Sequence, residues 1–223
     1  MKKLLQILLI ITMSGIAAYA EPAVPPPTNY EPVQVTDGQT IINNSVIETK
    51  NKIVVTLSFV KTQPEISVND PDAAGKVASS LKPYSYTGVM DTLLFSVLIK
   101  NENTDKSVDV AAKRCNLFSE SDPQPVYSMY FTDMAKLWRE YYYLNTYTIT
   151  GSPNIFEQQK GIEAENYILK TAFKGGTIPP GKTIEGFIAF PKASILPQKL
   201  LLQPGDIYFD NQLINFKFMF HTK

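Results

Sequence analysis

The chain has 223 residues, with 21 basic and 21 acidic side chains and a formal net charge of zero. Balanced charge without a basic stripe leaves no long-range field to gather nucleic acid, so nucleic-acid binding is not expected. At 44% hydrophobic residues the chain can bury a substantial core, which argues against disorder, and a single cysteine, Cys115, rules out an internal disulfide.

Residues 1–20 are laid out as a cleavable secretory signal peptide. Lys2 and Lys3 form a positive start, and residues 4–13 are apolar except for Gln6 and Thr12. That run is too short to span a bilayer, which takes roughly 20 residues. Gly15 loosens the helix, and Ala18 and Ala20 supply the small side chains that a signal peptidase pocket accepts. Cleavage is therefore expected before Glu21. No cysteine lies near that point to carry a lipid, and no later segment is long and apolar enough for a second membrane span. The exported product is expected in the periplasm, with release into the medium as the alternative. Losing Lys2 and Lys3 leaves it 19 basic groups against 21 acidic ones.

Residues 21–36 begin with Glu21-Pro22-Ala23-Val24-Pro25-Pro26-Pro27, where consecutive prolines forbid helix and favour an extended tether. From 37 to 223 the pattern suits one domain rich in strands. Ile53, Val55, Leu57 and Phe59 alternate with Val54, Thr56, Ser58 and Val60 in a period-two run heavy in β-branched residues. Leu93, Phe95, Val97 and Ile99 repeat the pattern up to a polar turn at 101–105, and Val108 and Val110 open a returning strand that reaches Cys115 and Leu117. Further strands are expected at 126–131, 146–150 and 167–173, and another at 183–190 after the turn Pro179-Pro180-Gly181-Lys182. Short ones are expected at 200–202 and 207–209, with a final strand over 214–220 whose apolar face is Ile214, Phe216, Phe218 and Phe220. One helix is expected from Asp133 to about Leu144. Thr132 or Asp133 can cap it, and Leu137, Trp138, Tyr141 and Tyr142 fall on one face. About ten short strands separated by turn signals indicate an all-β, antiparallel β-sandwich with one inserted short helix.

Two segments carry a resemblance. Phe95-Ser96-Val97-Leu98-Ile99-Lys100-Asn101 leads through a polar turn to Val108 and Val110. Gly176-Thr177-Ile178-Pro179-Pro180-Gly181 leads to Ile184, Gly186 and Phe190-Pro191. Together they resemble the small immunoglobulin-like domains of bacterial lipoproteins and envelope proteins of unknown function. The resemblance covers about half of the exported chain and implies an immunoglobulin-like fold. Its motifs describe turns and core positions, so it implies no active site. Residues 119–164 have no counterpart in it and read as an insertion, the place where a particular function would sit.

Catalytic patterns do not emerge. His221 is the only histidine, so any Ser-His-Asp or Cys-His arrangement must use it, yet it ends a phenylalanine-rich strand and reads as a solvated end residue. Cys115 reads as a small buried hydrophobe. One histidine and one cysteine make no zinc or copper ligand set. Asp70-Pro71-Asp72-Ala73-Ala74-Gly75 starts like a calcium loop but has Ala74 and Leu81 where oxygen ligands are needed. Asp133, Glu140, Glu157, Glu163 and Glu165 flank an aromatic segment without forming a recognisable glycosidase pair. No nucleophile elbow and no phosphate loop is present. No metal and no cofactor is expected, and the chain is read as non-enzymatic.

The remaining anomaly is aromatic. Tyr127, Tyr130, Phe131, Trp138, Tyr141, Tyr142, Tyr143 and Tyr147 crowd one segment, and three consecutive tyrosines cannot all face one core. Part of the set is expected in a core and part at a surface. The binding residues expected from this segment are Tyr130, Trp138, Tyr141, Tyr142 and Tyr143. Amphipathic rings suit protein interfaces and also stack on sugars. The resulting expectation is an exported binding or assembly module of the bacterial envelope whose partner is another envelope protein. The alternative is a protein that binds or processes cell-wall carbohydrate.

Overall fold

The computed structural model describes residues 29–69, 79–85, 92–120, 124–150, 155–192 and 197–222, with no side-chain description at 113–114 and 145–150. The signal-peptide segment, the prolines before residue 29 and the 70–75 turn lie outside the described residues.

Two antiparallel sheets face each other. One contains β1 (Tyr30–Val33), β8 (Val108–Ser119), β10 (Gly176–Ile178), β12 (Lys199–Phe209) and β14 (Phe218–Thr222), in the order β1-β14-β12-β8-β10. Short β9 (Val126–Tyr127) and β13 (Gln212–Ile214) attach to β8 and β12. The second sheet runs β11 (Thr183–Pro191), β7 (Thr92–Asn101), β4 (Ile53–Phe59), β3 (Ser45–Lys50) and β2 (Gln39–Ile42). A separate pair, β5 (Ile66–Val68) and β6 (Ser79–Leu81), stands apart from both. The strong alternation of Ile53–Phe59 appears directly as alternating burial along β4. Its odd positions join Phe95, Val97, Ile99, Phe190, Phe218 and Phe220 in the core between the sheets. Three two-residue hairpin turns close neighbouring strands, at Asn43-Asn44, Asn51-Lys52 and Asp210-Asn211, all six residues having positive φ. Paired positive φ values define the turn whose twist matches that of the flanking strands.

Between β8 and β10 the chain builds two helices where a single short one was expected: α1 (Phe131–Thr150) and α2 (Ile155–Thr171). The expected strand at 146–150 is the last part of α1, and most of the one at 167–173 is the end of α2. Of the one at 126–131 only Val126–Tyr127 is strand. Strand propensity at Thr146, Thr148 and Ile149 is a weak preference that the extension of an established helix overrides. In α2 the buried stripe is Gly161, Ala164 and Ile168, so two of its three members are too small to register as an apolar period. Those small residues let the helices meet closely. A Cβ on Gly161 would lie 3.1 Å from the Trp138 carbonyl oxygen and 3.1 Å from the Tyr142 Cβ.

The helical pair covers the outer face of the second sheet at one end. There Leu94 and Ala189 lie under Trp138, Tyr142, Ala164 and Ile168, forming a second core separate from the first. No helix among the described residues is long and apolar enough to cross a membrane.

Candidate functional site

The outer face of the β11-β7-β4-β3-β2 sheet is only half covered, and what the helices leave open is set by strand register. Across β3, β4, β7 and β11 one row runs Ser45, Ser58, Ser96, Phe187, and the next runs Ile47, Thr56, Leu98, Glu185. The Ser45 and Ser58 hydroxyls hydrogen-bond each other at 2.5 Å. Further along the strands Leu94 and Ala189 disappear under the helices. At this boundary lies a half-open recess of about 530 Å³. Its lining includes Thr56, Ser96, Leu98, Glu185 and Phe187 from the sheet and Lys170 and Thr171 from the end of α2. Volumes of about 300–1,000 Å³ are typical of ligand sites.

The end of α2 is held over the sheet by identifiable bonds. Ala172 forms a parallel bridge with Phe187, and the Phe173 N–H donates to the Phe187 carbonyl at 2.9 Å. The Thr171 hydroxyl donates to the Tyr167 carbonyl at 2.8 Å and accepts from the Tyr84 hydroxyl at 3.0 Å. Burial of the Tyr84 phenol holds its pKa well above the usual tyrosine value. At the entry to the helices, the Met129 N–H donates to the Ala189 carbonyl at 2.8 Å. The insertion therefore grips the β11 edge at both its start and its finish. Lys170 and Glu185 are exposed at the recess, and neither makes an ion pair or hydrogen bond among the described residues. Opposite charges standing unpaired beside an apolar floor provide for a ligand carrying both polar and apolar groups.

Gly186 makes this geometry attainable. A Cβ there would sit 2.5 Å from the Phe173 nitrogen and 2.7 Å from its Cα, both backbone atoms that cannot swing aside. Gly186→Ala is expected to cost about 2–3 kcal/mol of stability, the range for forcing a group into a packed site. Hydrogen exchange will show the Phe173 amide losing protection before the sandwich strands do; unchanged exchange there would mean that the two segments do not touch in solution.

The aromatic residues singled out from the sequence divide in two. Trp138 and Tyr142 are 1% and 9% exposed and stack on each other with ring centroids 5.8 Å apart. The Trp138 indole N–H donates to the Pro83 carbonyl at 2.7 Å. These two rings are core, not contact surface, because the helical pair must bury its own apolar stripe against the sheet. Tyr141 is half-buried, edge-on to Tyr142, while Tyr127, Tyr130 and Tyr143 are well exposed. The surrounding carboxylates take local partners: Glu140 with Lys136, Glu157 with Lys160, Glu165 with Arg139, and Glu163 with the Gln159 amide. Among the described residues no group of three or more His, Cys, Asp or Glu is placed to hold a metal ion. Cys115 is buried with its thiol hydrogen-bonded to the Ala112 carbonyl, and burial pushes its pKa up to about 12. His221 lies exposed on β14, so the two do not meet.

No sequence pattern marks the recess: the strand expected at 167–173 takes in Lys170, and Glu185 is one of several outward-facing charges on strands. The available signal was Gly186, a strand glycine of the kind that marks close approach of another backbone. No protein-family model matches this chain, and neither does any curated protein or solved structure.

Proposed function

We propose that this chain is an exported, non-catalytic binding or assembly module of the bacterial envelope, and that it engages its partner through the recess between α2 and the sheet. The observation that carries the reading is the unpaired Lys170 and Glu185 facing an apolar floor of ligand-site size. Export is supported by Lys2, Lys3, the apolar run that follows and the small residues Ala18 and Ala20. An immunoglobulin-like sandwich is supported by the strand order. Taking β4, β7, β8, β10, β11, β12 and β14 in sequence, β4-β7-β11 lie in one sheet and β14-β12-β8-β10 in the other. In that fold the first, second and fifth strands share one sheet and the third, sixth and seventh the other, as here; β10, the fourth, joins the second group where the seven-strand arrangement puts it with the first. The insertion then falls between the third and fourth of these strands. With Trp138 and Tyr142 stacked on each other in the interior, the open aromatic platform that a sugar reading requires is not available from them.

The test is in-cell crosslinking of the tagged chain at native expression, comparing Lys170→Glu with Lys136→Glu as a surface control. The expected result is a discrete envelope protein captured by the native chain and by the control but lost from Lys170→Glu. The captured chain should begin at Glu21 by intact mass. Capture that survives Lys170→Glu unchanged would remove the recess from the proposal.

A further inference from the structure

The β11 edge is only half used. In an antiparallel ladder alternate residues direct both N–H and C=O away from the paired strand. The bonds to Phe187 and Ala189 show that the odd-numbered residues of β11 do so. Thr183 and Glu185 belong to the same set, and among the described residues no main-chain group bonds their outward edge. Proteins normally blunt an exposed strand edge with short strands, proline, charge or a covering loop. Here residues 172–173, directly after the end of α2, cover only the middle of a nine-residue strand. The open half of the edge borders the recess.

Extending our reading of the recess as the contact surface, we propose that it receives the C-terminal end of an extended peptide, which adds as a strand beside Thr183–Glu185, parallel to β11, with its terminal carboxylate on Lys170. Direction follows from charge. Ala172 pairs parallel to β11, so a peptide continuing the same edge on the Glu185 side in the same sense ends beside Thr171 and Lys170. An antiparallel peptide would bring its ammonium group to Lys170, a like-charge encounter. The C-terminal end of a helix disfavours an anion, but part of the last turn of α2 is already bonded. The Ile168 carbonyl accepts from the Ala172 N–H and the Tyr167 carbonyl from the Thr171 hydroxyl, while Lys170 adds full positive charge. Strand addition takes affinity from main-chain bonds and specificity from pockets for alternate side chains. Leu98 and Phe187 supply the apolar part of that pocket, and Glu185 favours a peptide residue bearing Lys or Arg.

The experiment titrates the ¹⁵N-labelled exported chain with a degenerate pool of pentapeptides bearing free C-terminal carboxylates, and with the same pool amidated. The free pool is expected to shift the Thr183, Glu185 and Gly186 amide resonances. Amidation should weaken apparent affinity about tenfold or more, the loss expected when a charged hydrogen bond is removed. Lys170→Gln should abolish that preference while leaving the rest of the spectrum in place. Glu185→Pro removes an outward N–H without touching the β7 ladder and should weaken both pools. The carboxylate comparison uses the unaltered protein and stands even if that variant folds poorly. Equal binding of the two pools overturns terminal recognition while leaving the recess a contact surface. No shift at 183–186 with either pool at millimolar concentration overturns strand addition, and dependence of in-cell capture on Lys170 then decides separately whether the recess binds a partner of another kind.

Discussion

Trp138→Ala is expected to destabilise the protein by about 3–5 kcal/mol, the usual cost of truncating a fully buried large aromatic side chain. Trp138 is 1% exposed, stacks on Tyr142, and lies in the core that joins α1 and α2 to Leu94 and Ala189 of the sheet. Its N–H also satisfies the Pro83 carbonyl at 2.7 Å. For a chain of this size such a loss lowers the melting midpoint by roughly 10 °C. Trp138→Phe keeps most of the volume but orphans that carbonyl, and should cost about 1–3 kcal/mol. Tyr143→Ala, on the exposed side of the same helix, should stay within about 0.5 kcal/mol. Denaturant melts of the three variants check the order. Were Trp138 a contact residue on an open surface, its truncation would instead resemble that of Tyr143 and leave the midpoint nearly unchanged.

The contrast between these two residues also marks how far sequence patterns reach. The period-two run 53–59 is legible because one face meets a core and the other does not, and each residue reports its own side. The aromatic segment is legible only as a mixture. Which tyrosine is buried depends on where a second helix crosses, and that crossing is set by Gly161 and Ala164, whose small size carries no periodic signal. The recess is less legible still. Lys170 and Glu185 are fifteen positions apart in the chain, and they share a recess only because a two-residue bridge lays Ala172 beside Phe187. Neither residue type nor spacing encodes that bridge; Gly186, which admits it, is its one trace in the sequence.

Asn101→Ala is expected to cost about 3–4 kcal/mol, out of proportion to the few atoms removed. Asn101 is fully buried at the end of β7. Its side-chain amide donates to the Lys106 carbonyl at 2.8 Å and to the Ile178 carbonyl at 3.0 Å. Its side-chain oxygen accepts from the Asn103 N–H at 3.1 Å and from the Asn103 amide at 3.0 Å. The main chain of the same residue accepts from the Gly181 N–H at 2.8 Å and donates to the Lys182 carbonyl at 2.9 Å. One residue therefore ties the 102–107 turn, the end of β10 and the Pro-Gly turn before β11 to a single point, and those are the turn elements of both motifs noted in the sequence. Truncation leaves two carbonyls without their donor, each worth about 1–3 kcal/mol when buried, while the main-chain bonds persist. Asn101→Asp tests whether geometry or donor capacity matters. It keeps the shape and the acceptor, yet ionised it has no proton to give to Lys106 or Ile178 and buries a charge, so at neutral pH it should be no more stable than Asn101→Ala. A melt in which Asn101→Asp retains native stability would mean that the two carbonyls are satisfied by water, and that the turn is held from its main chain alone.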